Sequence, residues 1–248
     1  MTRRTAIAVA AAAAVAATAA GTAGATSFAA REGRVAGCKS NGDTIAFHGP
    51  RGRRVVALTF DDGPSQYTAT VLSILRRAKV KATFFVLGSQ ISTFPNTMKA
   101  ELAEGHAIGN HTWNHPSVAG GGGFAFSQLR GTSRRIRSAT GYTPCVFRPP
   151  YGAFSGGLIR IARGLGMNTV NWDVDPRDWS RPGQGAIYSR IVNAVRPGSI
   201  VLMHDGGGPR GQTVGALPGI IANLKRRGYR FETVPQLLGL KPVIYYRS

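Results

Sequence analysis

The order of apolar and polar positions along the chain predicts alternating strands and helices. Short, nearly continuous apolar runs are typical of strands buried on both faces, and Val55–Phe60 is the first of them. The segment Thr68–Ala78 follows, with Val71, Leu72 and Leu75 on one face of a helix. The same alternation continues to residue 233. It predicts strands at 55–60, 82–87, 106–110, 145–148, 168–173, 199–203 and 229–233.

Helices are predicted in the intervals between these strands. They fall at 68–78, 94–103, 126–139, 158–163, 186–195 and 214–227. Strands that alternate with helices at this spacing form a parallel sheet in an α/β domain. Seven strands in about 190 residues fit either a doubly wound sheet or a barrel with one βα unit fewer than the usual eight.

The first 25 residues have the pattern of a secretory signal peptide. Arg3 and Arg4 form a basic start, Ala6–Ala20 is almost all alanine and valine, and Ala23–Ala25 reads A-G-A, a cleavage pattern. A transmembrane anchor is the alternative, but alanine is weakly apolar and no basic cluster follows at once. The arginine pair also permits twin-arginine export. We therefore expect a secreted, extracellular protein, either free or associated with the cell wall.

The rest of the chain divides by its patterning. Residues 26–52 are small and polar without periodicity, which predicts a loosely ordered N-terminal segment. Residues 53–240 carry the whole strand–helix alternation and have the length of one domain. Residues 241–248 are expected to be a C-terminal tail, and the protein is expected to be a monomer without stable membrane insertion.

Net charge and cysteine content narrow the choice of partners. The formal charge is +20, which outside a cell favours anionic polymers such as cell-wall glycans. The basic residues are scattered along predicted helices without interleaved aromatic residues, so no nucleic-acid partner is expected. The two cysteines, Cys38 and Cys145, could form a disulfide in an exported chain or remain as buried thiols.

Polar side chains follow five of the predicted strands, where each strand ends. Carboxyl ends of parallel strands converge on one face, so these segments should meet in one cleft. They are Asp61-Asp62, His111–His115, Arg148–Tyr151, Asp175–Trp179 and His204-Asp205.

The first two of these segments contain the residue types of a metal site. Asp61 and Asp62 end a buried strand, where two carboxylates are costly unless a cation binds them; a surface turn is the alternative. His111 and His115 are four residues apart, a spacing that puts both rings on one side of a helical turn. Two His and one Asp with open positions suit hydrolytic zinc, and would also accept cobalt or nickel.

These five segments together resemble the ordered motifs of a known enzyme family. Thr59–Gly63, His111-x-x-x-His115, Arg148–Tyr151, Asp175-x-x-Asp178-Trp179 and Leu202-x-His204-Asp205 are similar to those of the polysaccharide deacetylases. This family is defined by the NodB-homology domain and is also called carbohydrate esterase family 4. The resemblance covers about residues 53–240.

The resemblance implies a fold and a metal centre. The fold would be α/β: a single distorted (β/α)7 barrel, similar to a TIM barrel, with the metal at the C-terminal face of the strands. A divalent metal, usually zinc, would be held by Asp62, His111 and His115. Asp61 would be the general base, and Arg148 would hold it in place.

The remaining motif residues receive their roles from the same resemblance. The backbone N–H of Tyr151 would stabilise the charge that develops on the acetyl oxygen, and Tyr151 would also contact substrate. His204 would be the general acid, with Asp178 hydrogen-bonded to its other ring nitrogen. Trp179 and Leu202 would form the apolar pocket for the acetyl methyl group. Asp175 and Asp205 are expected to brace loops.

Three functions fit this reading. The first is hydrolysis of the N-acetyl amide of an amino-sugar polymer, peptidoglycan or a chitin-type glycan. The second is removal of O-acetyl esters from acetylated xylan by the same chemistry. The third, a catalytically silent wall-binding protein, is disfavoured because Asp61, Asp62, His111 and His115 are all present.

Overall fold

The structure, a computed structural model, describes residues 34–42 and 44–245. Its strands are β1 Arg34–Cys38, β2 Ile45–Ala46, β3 Val55–Asp61, β4 Thr83–Val86, β5 Ala107–Asn110, β6 Val146–Phe147, β7 Asn168–Val170, β8 Ser199–His204, β9 Arg230–Phe231 and β10 Pro242–Tyr245. Its helices are α1 Thr68–Ala78, α2 Pro95–Ala103, α3 Gly122–Thr140, α4 Gly156–Gly164, α5 Gln184–Ala194, α6 Gly211–Arg226 and α7 Val234–Leu237. The predicted signal peptide lies outside the described residues.

One curled parallel sheet organises the domain. Its strand order is β2-β7-β6-β5-β4-β3-β8, and β9 pairs with the first residues of β3. All of these pairs are parallel. Just beyond β7, Val174 forms a parallel bridge with Val201 of β8, so the sheet curls until its two sides meet. The seven predicted strands are β3 to β9, and the α/β barrel-like fold is confirmed.

Both faces of the central strand are buried, which explains its continuous apolar run. Val56, Leu58 and Phe60 of β3 belong to the core between the sheet and the surrounding helices. Their neighbours Val55 and Ala57 point the other way, into a second cluster. A strand of this kind cannot show polar alternation, because neither face contacts water.

Residues 26–52 were expected to be loosely ordered and residues 241–248 to be a tail. Among the described residues, both segments contain strands instead. Strand β1 pairs antiparallel with β10, with Cys38 opposite Pro242, and β2 joins the main sheet beside β7. Cys38 is disulfide-bonded to Cys145, with their Cα atoms 5.3 Å apart. These strands are stabilised by partners far away in sequence, so local periodicity carried no sign of them.

Most helix boundaries agree with the sequence pattern within two residues, but α6 begins three residues early and the short helix α7 was not predicted. Helix α3 begins at Gly122, inside the glycine run, four residues before the predicted start at 126. None of the described helices is both long and apolar enough to cross a membrane.

Candidate active site

The five polar strand ends meet in one cavity of about 440 Å³ at the carboxyl end of the sheet. Its walls contain both predicted metal-ligand histidines, both adjacent aspartates and the predicted acid. The full lining is Asp61, Asp62, His111, His115, Pro149, Tyr151, Trp172, Asp175, Trp179, Leu202, His204 and Arg210. The topology therefore brings together residues that are up to about 150 positions apart in the chain.

Three side chains in this cavity fit a divalent metal. The Oδ1 atom of Asp62 lies 3.5 Å from Nε2 of His111 and 3.4 Å from Nε2 of His115. This Oδ1 atom is buried and has no hydrogen-bond partner, as expected of an atom that awaits a cation. One carboxylate and two imidazoles are a donor set that zinc accepts.

The protonation state of His111 also suits a ligand. Its Nδ1 donates to the backbone oxygen of Arg148 at 2.7 Å, which leaves the Nε2 lone pair directed at Asp62. Burial lowers the pKa of His111 to about 3, so the ring is neutral at physiological pH. A neutral imidazole oriented by a backbone carbonyl is the form that binds metals.

The two histidines do not lie on a helical turn, contrary to the prediction from their spacing. They lie on an irregular loop in which Thr112 and His115 have left-handed φ values of 69° and 64°. Asn110 Oδ1 accepts from the Thr112 N–H, and Thr112 Oγ1 accepts from the His115 N–H. The side chains of Asn110 and Thr112 therefore replace helical hydrogen bonds and bring the two rings to 5.0 Å.

The adjacent aspartates are separated by a change in backbone conformation. Asp61 is the last residue of β3, in register with Phe85 and His204. Asp62 turns into the left-handed region at φ 72°, which is unfavourable for a non-glycine residue and concentrates at functional sites. The turn directs the carboxylate of Asp62 to the histidines, while Asp61 stays at the strand end.

Asp61 is held by a buried arginine. Arg148 Nη1 donates to Asp61 Oδ1 and to Thr59 Oγ1, both at 2.7 Å, and the guanidinium lies 4.1 Å from the ring centre of Phe85. Burial raises the pKa of Asp61, against the opposing charges of Arg148 and His204. The second oxygen, Oδ2, faces His111 Nε2 at 3.7 Å and lies beside the cavity.

His204 is paired with Asp178 on the opposite wall. Asp178 Oδ1 accepts from His204 Nδ1 at 2.7 Å, and its Oδ2 accepts from the His204 N–H and from Thr213 Oγ1, both at 2.8 Å. Burial alone would lower the pKa of His204, but the hydrogen bond and charge of Asp178, with Asp61 and Asp62 nearby, raise it above 6.5. The ring can therefore carry a proton on Nε2 into the cavity.

Three further predicted residues line the cavity mouth. Tyr151 is exposed, has φ 61° after two prolines, and places its ring 4.6 Å from that of His115. Trp179 is half exposed, with the guanidinium of Arg177 5.2 Å from its ring, and Leu202 is buried.

Sequence reasoning missed two residues of the cavity, Trp172 and Arg210, and expected a third, Asp175, only to brace a loop. Trp172 and Asp175 lie two and five residues after β7, so their position beyond a strand end was an available signal; Asp175 also accepts from the Arg177 N–H at 2.7 Å. Arg210 directly precedes α6 and donates to the backbone oxygens of Gly206 and Gly207. No pattern in the sequence marks Arg210 as part of the site.

Comparisons with known proteins agree with this site. A sequence profile described as polysaccharide deacetylase matches residues 48–170. The chain is 40% identical over 200 residues to a peptidoglycan-N-acetylglucosamine deacetylase of Bacillus cereus, covering 79% of this chain and 94% of the relative. It is also 40% identical over 200 residues to a chitooligosaccharide deacetylase of a Bradyrhizobium species, covering 75% and 91%.

A solved structure gives the same result. The Bc1960 peptidoglycan N-acetylglucosamine deacetylase superposes with a TM-score of 0.76 at 38% identity, covering 79% of this chain and 92% of that one. The chain belongs to the polysaccharide deacetylase family, carbohydrate esterase family 4. The deacetylases of this family are metal-dependent.

Proposed function

We propose that the protein is an exported, zinc-dependent deacetylase that hydrolyses the N-acetyl amide of an amino-sugar polymer. The observation that carries the proposal is one cavity shared by a metal-compatible triad, a buried carboxylate and a histidine hydrogen-bonded to Asp178. Relatives at 40% identity act on peptidoglycan N-acetylglucosamine and on chitooligosaccharides, which supports an amide rather than an ester as substrate.

The reaction is the addition of water to the acetyl carbon and the release of acetate and a free amine. Asp62, His111 and His115 would hold a divalent metal, which would supply Lewis-acid chemistry to the acyl oxygen and the water. Asp61 accepts the proton of the attacking water through Oδ2, because Oδ1 is occupied by Arg148. Its orientation is fixed before substrate arrives.

The second half of the reaction breaks the bond between carbon and nitrogen. The backbone N–H of Tyr151 stabilises the negative charge on the acyl oxygen. His204 donates the Nε2 proton to the leaving nitrogen, and Asp178 keeps the ring charged and correctly oriented. Trp179 and Leu202, on the cavity wall, contact the acetyl methyl group.

The cellular setting of the proposal rests on the sequence. The basic, alanine-rich and A-G-A segments of the first 25 residues support export, and the charge of +20 supports attraction to an anionic cell-wall glycan. The disulfide between Cys38 and Cys145 is compatible with an oxidising compartment.

Acetate release from a substrate panel tests the function. The purified protein is stripped with a chelator, then reloaded separately with zinc, cobalt and nickel, and assayed on N-acetylglucosamine oligomers, peptidoglycan and acetylated xylan. We expect activity on the N-acetyl glycans that disappears with the metal and returns with zinc. Activity that survives chelation would refute the metal dependence, and a preference for acetylated xylan would assign an O-acetyl esterase instead.

A further inference from the structure

Two exposed phenylalanines lie beside the cavity and take no part in the chemistry. Phe47 and Phe154 form an edge-to-face pair with ring centres 6.0 Å apart. They remain 40% and 43% exposed, so their mutual contact leaves a large apolar surface in water. Exposed aromatic rings that a fold does not use for packing are common at binding surfaces.

Phe154 is connected to the cavity by a short, rigid loop. It lies three positions after Tyr151, at most about 11 Å of extended chain. Gly152 in this loop has φ 66°, and a Cβ there would come within 2.9 Å of the ring of Trp172. Asn171 Nδ2 also donates to the Gly152 oxygen at 2.9 Å. The loop is therefore pressed against Trp172, a residue of the cavity wall.

Phe47 is connected to the Trp172 segment of the cavity wall through strand β2. It directly follows β2, where Ala46 pairs with Val170 of β7. The Asn171 N–H donates to the Ala46 oxygen at 2.8 Å, so Phe47 lies next to the Asn171-Trp172 segment. Tyr151 and Trp172 line the cavity, and the loop 152–154 and the pairing of β2 with β7 connect the Phe47–Phe154 pair to them.

We propose that Phe47 and Phe154 form a sugar-binding subsite for a residue of the glycan next to the one that is deacetylated. Pyranose rings present apolar C–H faces that stack on aromatic side chains, and their hydroxyl groups remain in water. A subsite next to the cavity makes the enzyme prefer longer oligosaccharides, which reach the subsite, over shorter ones. This inference rests on the proposed function, since it takes an N-acetylglucosamine polymer as the glycan.

Dependence of rate on chain length tests the subsite. We compare kcat/KM for the disaccharide and the pentasaccharide of N-acetylglucosamine in the unmodified protein, Phe154→Ala and Phe47→Ala. Each substitution should lower the ratio of pentasaccharide to disaccharide kcat/KM by about three- to tenfold. The matched control is Phe126→Ala, which is 42% exposed on α3 beside Arg130 and should leave the ratio unchanged.

A second measurement separates failure of the subsite from failure of the function. Calorimetry of the same oligosaccharides with the zinc-loaded proteins should show the same loss of preference for the pentasaccharide. If that loss occurs without acetate release by the unmodified protein, the proposed function is wrong and the subsite stands. An equal effect on both chain lengths, no effect, or no binding of either oligosaccharide would overturn the subsite.

Discussion

Arg148 and Asp61 form a hydrogen-bonded ion pair in which both side chains are buried. Nη1 lies 2.7 Å from Oδ1, although the two residues are 87 positions apart. The pair holds the Asp61 carboxylate at the cavity wall and occupies one of its two oxygens. The same pair that orients the proposed base also stabilises the fold, because either side chain alone would be an uncompensated buried charge.

Removal of Arg148 should therefore destabilise the protein. Arg148→Met leaves the Asp61 carboxylate buried without its cation, and we expect the free energy of unfolding to fall by about 3–5 kcal/mol, measured by urea denaturation. The double variant Asp61→Asn/Arg148→Met should lose less than the sum of the single variants. Strict additivity would show that the two residues do not stabilise each other.

Asp61 and Asp62 should respond differently to the same substitution. Asp61→Asn keeps an oxygen for Arg148 but cannot accept a proton, so kcat/KM should fall by about 10²–10⁴ while zinc affinity stays near that of the unmodified protein. Asp62→Asn should lose zinc binding itself. Calorimetric zinc titration of the stripped proteins and acetate release distinguish them; unchanged turnover in Asp61→Asn would refute its role as base.

The fall in kcat/KM at alkaline pH should reflect loss of the proton from His204. Asp178 raises the pKa of His204 above its usual value against the effect of burial, and the acid form is lost as pH rises through the raised pKa. Asp178→Asn removes the charge, so the limb of kcat/KM should move to lower pH by about one to three pH units. Thr213→Val keeps the charge and should move it much less. A limb that does not move would exclude His204 as the titrating acid.

Gly207 should be essential for the position of Asp62. Its φ is 69°, and a Cβ there would overlap Asp62 Oδ2. Gly207→Ala is expected to weaken zinc binding at least tenfold by displacing that carboxylate, with calorimetry as the measurement. Gly211→Ala is the matched control, since no atom lies within 4 Å of a Cβ at that position. Equal zinc affinity in both variants would contradict the assignment.

The disulfide should stabilise the fold without affecting the chemistry. It closes a loop with a sequence separation of 107, for which chain entropy gives at most about 4–5 kcal/mol. Cys145 precedes β6 and so lies at the strand end opposite Arg148. The double variant Cys38→Ala/Cys145→Ala should unfold at lower urea, yet keep its kcat/KM at low temperature. A large loss of kcat/KM in the folded variant would contradict this separation.

Local patterning predicted seven of the eight strands of the main sheet and most of the cavity. The strands β3 to β8 were readable because each is short, largely apolar and followed by a helix, and β9 because it is a short run after the last predicted helix. The parallel direction of the sheet then brought Asp61, Asp62, His111, His115 and His204 to one end. The burial of a segment and the direction in which its chain runs can both be inferred from that segment's own sequence.

The remaining features were decided by the tertiary structure, because each of them depends on a contact between two segments that are distant in the sequence. The pairing of β1 with β10 and the Phe47–Phe154 contact join distant positions without a local signal. The left-handed conformations of Asp62 and His115 persist because the surrounding hydrogen bonds and close packing hold them there. The two aspartates were recognisable as a pair in the sequence. Local patterning could not tell their roles apart. The family resemblance did, and the fold provides the geometry, with Asp61 on Arg148 and Asp62 beside the histidines.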